Sequence, residues 1–322
     1  MTEDLDPIPV RNDLQTIAFY NVENLFDLRN NKAKHDNDFL PKSFKKWTHK
    51  RYQNKLKKLG YAISNIGRKE TGKHPAIIGL AEVENPKVIK DLMRSKHLKD
   101  VPYNYVHFES LDERGIDVAL LYDTHAFKVL HAEAFAVPLT DIDGTPDYTR
   151  DVLLVSGILD GEKIHVIVNH WSSRREGAKE TEFKRLASSE KVNAIINTLL
   201  ETDNNGKIMV LGDFNDEPHN KSIKNLVENA SLYNPMETLR SFTRGTVKHK
   251  RQWFIFDQIL VSTNFFKSSK SHFEFFKANI FDDPFLKISE GRYKGAPYRT
   301  YAGKNYKGGY SDHFPVYVLL KK

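Results

Sequence analysis

Four apolar runs in this 322-residue chain end on residues able to hold a hard cation or move a proton. TIAFY leads into Asn21 and Glu23, PAIIGL into Glu82 and Glu84, KIHVIV into Asn169 and His170, and KIMVL into Asp213 and Asn215. Asp257 stands beside the start of another run, FDQILVS, and Asp312 and His313 precede PVYVLL. In open α/β sheets, side chains at one end of the strands converge on a shared crevice. Carboxylates, amides and imidazoles gathered there would make an oxygen-rich metal site beside a proton-transfer group, a combination suited to Mg²⁺ and phosphate oxygens. Taken singly, each has an ordinary explanation: Asn21 closes a turn, Asp213 and Asn215 form an Asx turn, Glu82 is an acid at a strand end, and a lone His170 or His313 is structural. Their joint occurrence at strand ends is what points to a site. The chain has no cysteine, which excludes a thiol nucleophile, a Cys-ligated zinc, an iron–sulfur centre and a disulfide framework.

The elements that must position these residues follow from periodicity. Short Val- and Ile-rich runs closed by Gly, Asn or Asp read as buried strands, and DVALLY, DVLLVSGIL, FDQILVS and HFPVYVLL add to the four above. Tyr52, Leu56, Leu59, Ile63 and Ile66 form a helical apolar stripe ended by Gly67, with Lys45, Lys46, Lys50, Arg51, Lys55, Lys57 and Lys58 expected on the other faces. Val192, Ile195, Ile196 and Leu199 mark a second helix, and Ile223, Leu226, Val227 and Ala230 a third. Residues 1–12 read as a loose tail and 13–322 as one domain, with 265–310 a long aromatic and basic loop in which period is lost. Hydrophobic residues at 39% and charged residues at 28% indicate a foldable soluble chain, expected to be monomeric. No apolar run approaches the ~20 residues of a membrane span, and Met1 to Thr16 lacks a signal-peptide pattern; the compartment, cytoplasmic or exported with a removed leader, stays open. The net charge of +7 favours polyanionic partners such as nucleic acid or acidic lipid surfaces.

Taken together and in this order, NVEN, AEVEN, NHW, GDFN, FDQIL and SDHFP resemble the endonuclease/exonuclease/phosphatase superfamily typified by pancreatic deoxyribonuclease, over roughly Ile17 to Val318. The resemblance implies a four-layer α/β sandwich, two mixed β-sheets packed face to face with helices outside, and metal-assisted cleavage of phosphate esters. It assigns Glu82 as principal ligand of Mg²⁺, for which Mn²⁺ could substitute, with Asn21 and Asp312 near the ion; Glu23, two residues after Asn21 on the same strand face, joins them as a metal candidate. It places His313 beside the scissile phosphate, oriented by Asp257, with Asp213 positioning or deprotonating the attacking water, Asn215 orienting that water or binding phosphate, and His170 bonding a non-bridging oxygen. Whether Asp213 or His313 takes the proton stays open.

Substrate contacts are expected from Arg114, Arg174, Arg175, Arg299 and Tyr301. Each has an alternative: Arg114 could pair with Glu113 or Asp117, Arg174 and Arg175 could be a solvated loop pair, and the loop of Tyr298, Arg299, Tyr301 and Tyr306 could pack on itself. Trp171 and Trp253 are expected in the core. Inositol polyphosphate phosphatases carry Cys-Asp-Arg where this chain has Phe256, Asp257 and Gln258, so that branch drops, and Asp216, Glu217 and Pro218 after GDFN leave base-excision repair unsupported. The expected activity is a Mg²⁺-dependent phosphodiesterase, foremost a nuclease. A sphingomyelinase-like or phosphomonoester hydrolase is the alternative, and a non-catalytic nucleic-acid-binding module comes last.

Overall fold

The computed structural model describes residues 9–29, 34, 37–140, 144–267 and 272–322, so Met1 to Ile8 of the expected tail lie outside the described residues. All eight expected strand runs form strands, because their branched apolar side chains can be buried on both faces of a sheet. In chain order the first nine strands are β1 (Leu14–Leu25), β2 (Ile77–Val83), β3 (Tyr103–His107), β4 (Asp117–Asp123), β5 (Phe127–Phe135), β6 (Leu139–Thr140), β7 (Pro146–Asp147), β8 (Val152–Leu159) and β9 (Glu162–His170). There follow β10 (Lys207–Asp213), β11 (Leu232–Tyr233), β12 (Val247–His249), β13 (Gln252–Phe254), β14 (Asp257–Ser262), β15 (Glu274–Ile280), β16 (Tyr301–Ala302), β17 (Asn305–Tyr306) and β18 (Val316–Lys321). The helices are α1 (His49–Asn65), α2 (Arg68–Thr71), α3 (Pro86–Met93), α4 (Glu182–Thr202) and α5 (Lys221–Asn229).

Two six-stranded mixed sheets result, ordered β15-β18-β1-β2-β4-β3 and β11-β14-β10-β9-β8-β5. Their inner faces share one core, to which β9 contributes Ile164, Val166 and Val168, β10 Met209 and Leu211, and β14 Ile259 and Val261. The alternate residues Ile167, Ile208, Val210 and Leu260 turn outward into a second core with Val192, Ile195 and Ile196 of α4 and Ile223 and Leu226 of α5. Apolar residues of α1 and α3 extend the first core on the opposite side, completing the expected four layers. The sheets approach closely at Gly79 of β2, where a Cβ would sit 2.3 Å from Leu211 and 3.1 Å from Val168. A glycine to alanine change there must displace the Leu211 side chain or move the sheets.

Two expectations need correction. The segment 265–310 is not one irregular excursion, since it contributes the edge strand β15 and the short ribbon of β16 with β17. Lys55 does not lie on a solvated face of α1: three residues after Tyr52, it falls on the apolar stripe itself and its side chain is 1% exposed. Gly67 does end α1, in a left-handed conformation with φ of 68°. Among the described residues, no helix is long and apolar enough to cross a membrane.

Candidate active site

Hydrogen-bond register brings the first three groups together. Asp213 is the register partner of His170 on parallel β9 and of Asp257 on antiparallel β14. All three continue the inner-face alternation of their strands, so the polar cluster takes over where the apolar core between the sheets stops. From the other sheet, Asn21 follows Phe19 with the same parity, but Glu82 does not follow Gly79. Ala81 pairs with Val118 and Val83 with Asp117, leaving Glu82 as the extra residue of a β-bulge, with φ of 66°. The bulge re-aims a side chain that a regular strand would have turned away from its neighbour's cluster.

The resulting contacts are continuous. Asn21 Nδ2 donates to Asp213 Oδ2 at 3.0 Å and faces Glu82 Oε1 at 3.4 Å, while the Asn24 amide donates to Glu82 Oε2 at 2.8 Å. His170 Nε2 stands 3.9 Å from Glu82 Oε1 and 3.7 Å from Asp213 Oδ2. His313 Nε2 lies 3.8 Å from the same Asp213 oxygen and 3.9 Å from Asp312 Oδ1, and its Nδ1 is 2.8 Å from Asp257 Oδ2. Arg114 Nη2 donates to Asn24 Oδ1 at 3.1 Å and reaches within 4.0 Å of Glu82 Oε1. Asn215, with φ of 50°, donates its backbone N–H to Asp213 Oδ1 and its side-chain amide to the Trp171 carbonyl, both at 3.0 Å.

Burial and charge set three protonation tendencies. Burial pushes Asp213 up to about 6, a rise that His313 moderates and Asp257 reinforces. His313 goes the other way from what burial dictates: the carboxylates of Asp257 and Asp213, with the Asp257 hydrogen bond, hold it well above the ordinary histidine range. Burial, aided by the Arg150 charge, keeps His170 well below that range, hence neutral, and its Nδ1 has no hydrogen-bond partner among the described residues. Asp213, Asp257 and His313 are also the group of three donors whose ligand atoms lie within 4.8 Å of one another. Because Asp257 already accepts from the His313 ring, we read that trio as a proton-handling unit rather than a cage.

The remaining sequence candidates lie at the margin of the cluster or beyond it. Glu23 does not share Asn21's surroundings, because Glu23 and Asn24 both adopt positive φ and the two-residue period of a strand no longer holds there. Its buried carboxylate accepts the Thr300 amide at 2.6 Å and lies 3.7 Å from Lys55 Nζ and 3.6 Å from Arg299 Nε. Arg174 is drawn away by Asp216, Asn220 and the Asn215 carbonyl, while Arg175 is exposed. Arg299 stays at the rim, donating to Asp312 Oδ2 at 2.8 Å. Tyr301 is 5% exposed, packed edge-on to Phe39 with its hydroxyl on the Lys45 carbonyl, so here the loop packs on itself rather than presenting this ring. Trp171 and Trp253 are buried as expected.

Sequence reading missed the groups that brace the cluster. Arg150 donates to the His170 and Trp171 carbonyls and to Asp112. Ser311 Oγ donates to the Asn21 carbonyl at 2.6 Å and accepts the His313 amide, and Lys55 Nζ donates to the Tyr310 carbonyl and Thr300 hydroxyl, both at 2.6 Å. No spacing signal marks Arg150, whereas Ser311 stands within the SDHFP motif and the i, i+3 relation of Lys55 to Tyr52 could have flagged its burial. Since Glu23 and Lys55 are both buried, Glu23→Gln leaves the ammonium without its counter-charge and is expected to cost ~3 kcal/mol or more of unfolding free energy. Urea denaturation checks this, and an unchanged midpoint would contradict the pairing.

The profile of the Endonuclease/Exonuclease/phosphatase family matches residues 16–322. The chain belongs to that family. Endonuclease/exonuclease/phosphatase family members are hydrolases acting on phosphate esters. Solved structures agree on the fold: an endonuclease/exonuclease/phosphatase family protein from Bacteroides thetaiotaomicron superposes with TM-score 0.59 at 18% identity, covering 95% of this chain and 97% of that one. A mannosyl-6-phosphatase from Bacteroides thetaiotaomicron VPI-5482 gives 0.58 at 18%, covering 96% and 100%. TDP2 from D. rerio, complexed with a single-strand DNA product, gives 0.59 at 15%, covering 97% and 100%. No curated protein matches by sequence.

Proposed function

We propose that this chain is a divalent-metal-dependent hydrolase that cleaves nucleic-acid phosphodiesters by in-line attack of water. One observation carries the reading: Glu82, Asn21, His170, Asp213, His313, Asp257 and Asp312 form a chain of neighbours in which no step exceeds 4.0 Å. The donor set fits a hard cation, being carboxylate and amide oxygen without sulfur. Glu82 would hold Mg²⁺ or Mn²⁺ with Asp312 near it, and Asn21, whose Oδ1 is taken by the Glu23 amide, would space Glu82 from Asp213. The ion would neutralise phosphate oxygens and the leaving oxygen.

The chain's own groups divide the proton work. Asp213, whose carboxyl burial holds above the ordinary carboxylate range, orients water and accepts its proton. Protonated His313, its Nδ1–H fixed on Asp257, presents Nε2–H to the phosphate. Neutral His170 donates Nε2–H to a non-bridging oxygen as charge builds. Asn215 orients the attacking water.

The basic balance and Arg114 beside Glu82 favour a polyanionic substrate. The test incubates the protein with supercoiled plasmid, RNA, sphingomyelin, a sugar phosphate and an aryl phosphodiester, with and without Mg²⁺. Nucleic acid should be cleaved, with activity falling steeply as salt rises because several phosphates are gripped at once. Phosphate release from a monoester without any nicking, or a flat salt profile on nucleic acid, would overturn the substrate assignment.

A further inference from the structure

Beside His313 lies a hairpin that the catalytic reading leaves unused. Its strands β12 and β13 pair Val247 with Phe254, Lys248 with Trp253 and His249 with Gln252, so the turn is the two residues Lys250 and Arg251. The base is fastened to the catalytic groups: Val247 bridges to His313, the Phe314 amide donates to the Thr246 carbonyl at 2.8 Å, and the Asp257 amide donates to Thr246 Oγ1 at 3.3 Å. The tip, three residues farther, stands about 10 Å beyond at strand rise.

The turn contradicts local preference. Lys250 and Arg251 both have positive φ, 45° and 71°, the two-residue geometry that favours Asn-Gly and strains residues with long side chains. Backbone strain of this kind is held where a particular side chain is wanted. Here the wanted property is charge. A cavity of about 290 Å³ at the hairpin is lined by the cations Arg244, Lys248, Arg251, Lys287 and Lys294 around one carboxylate, Asp282. Among the described residues, Asp282 pairs with Arg244 and Lys287, at 2.9 and 2.7 Å. Aromatic surface adjoins this charge: Phe242, also on the cavity wall, is fully exposed, and Lys248 lies over the Trp253 ring, which stacks on Phe314.

We propose that this hairpin and its cavity bind single-stranded nucleic acid alongside the reacting phosphate, the cations gripping backbone phosphates and Phe242 stacking a base. Basic grooves with stacking rings are how unpaired strands are held without sequence preference. A lipid surface is disfavoured by the tip itself, which is Lys250–Arg251 where membrane insertion needs apolar side chains. The proposal rests on the nucleic-acid reading above and extends it to a region outside the catalytic cluster.

The test measures fluorescence anisotropy of a labelled oligothymidylate with the full chain, and hydrolysis of an aryl phosphodiester in parallel. Phe242→Ala should weaken binding about tenfold. Lys248→Glu with Arg251→Glu should weaken it on the order of 100-fold and flatten the log–log salt slope by about 1.4 or more. Lys250→Asn with Arg251→Gly relieves the turn, so this variant should melt at a higher temperature yet bind the oligonucleotide more weakly, a pair of changes that a purely structural hairpin would not give. Aryl ester hydrolysis should stay unchanged in all three. Undiminished oligonucleotide binding by the Asn-Gly variant, or hairpin-dependent binding to anionic vesicles with none to the oligonucleotide, overturns the proposal. Hairpin-dependent oligonucleotide binding by a protein that cleaves no nucleic acid would support it while sinking the nuclease reading.

Discussion

Replacing His313 by glutamine should lower kcat by about 10³-fold, with KM for a small phosphodiester little changed. The imidazole is held charged by Asp257 and Asp213 against the penalty of burial, and its Nε2 is the edge turned toward Asp213 and Asp312. Glutamine keeps a hydrogen bond to Asp257 but carries neither the charge nor a transferable proton. Because Asp257 is fully buried, removing its cation strands a carboxylate, so His313→Gln should be compared with the double variant carrying Asp257→Asn, which removes that penalty. The pH profile makes the argument specific. Asp213 has a pKa raised to about 6, so it is protonated below that value, and wild-type activity should climb as pH rises through 6 or, with a cation drawing the pKa down, somewhat lower. At higher pH activity should fall as His313 loses its proton. The variant should lose the alkaline fall and show its acid-side rise at higher pH, because the charge that moderates Asp213 is gone. A variant retaining a tenth or more of wild-type kcat would show that the imidazolium does not carry the proton or the charge.

Removal of the cation should have the other large effect: excess EDTA is expected to bring turnover to background, and Mg²⁺ or Mn²⁺ to restore it. Glu82→Gln should mimic chelation, with a loss of about 10² to 10⁴-fold, because it removes the charge of a carboxylate that its bulge, the Asn24 amide and Asn21 hold in place. A readout independent of turnover is thermal stability. A cation that binds the folded chain alone should stabilise it by about 2.7 kcal/mol at 100 times its Kd, and Glu82→Gln should erase that gain. Full hydrolysis in the presence of excess chelator, or an undiminished Mg²⁺-induced shift in the variant, would remove Glu82 and the cation from the scheme.

How far the sequence could be read depended on burial. The eight strands visible as apolar runs are the ones covered by neighbours or helices, whereas β3, β5, β11 and β15, which were not foreseen, are the four edges of the two sheets. An edge strand is wetted along one side and carries polar residues such as Lys277 and Asn279 in β15, so its apolar run is broken. The same logic holds at the site. His170, Asp213, Asp257 and His313 were legible because they sit where buried strands begin or end. Glu82 was legible only from its motif, since strict alternation turns it the wrong way and the bulge cannot be counted from sequence. Glu23 shows the complementary case, its two-residue spacing from Asn21 being interrupted by positive φ. Arg174 and Tyr301 were drawn toward substrate by residue type, but Asp216 holds the first and Phe39 packs on the second, contacts that only three-dimensional proximity provides.

Because His170, Asp213 and Asp257 lie abreast on adjacent strands, their meeting is written in pairing register and not in any loop. A single-residue deletion within β10 would rotate Asp213 toward α4 and α5 while leaving the strand apolar enough to fold. Lineages of this chain can therefore lengthen or shorten the connections outside β9, β10 and β14 with comparative freedom, whereas these three strands tolerate substitutions but no change in count. Frame within the sheet is the conserved quantity to look for among its descendants.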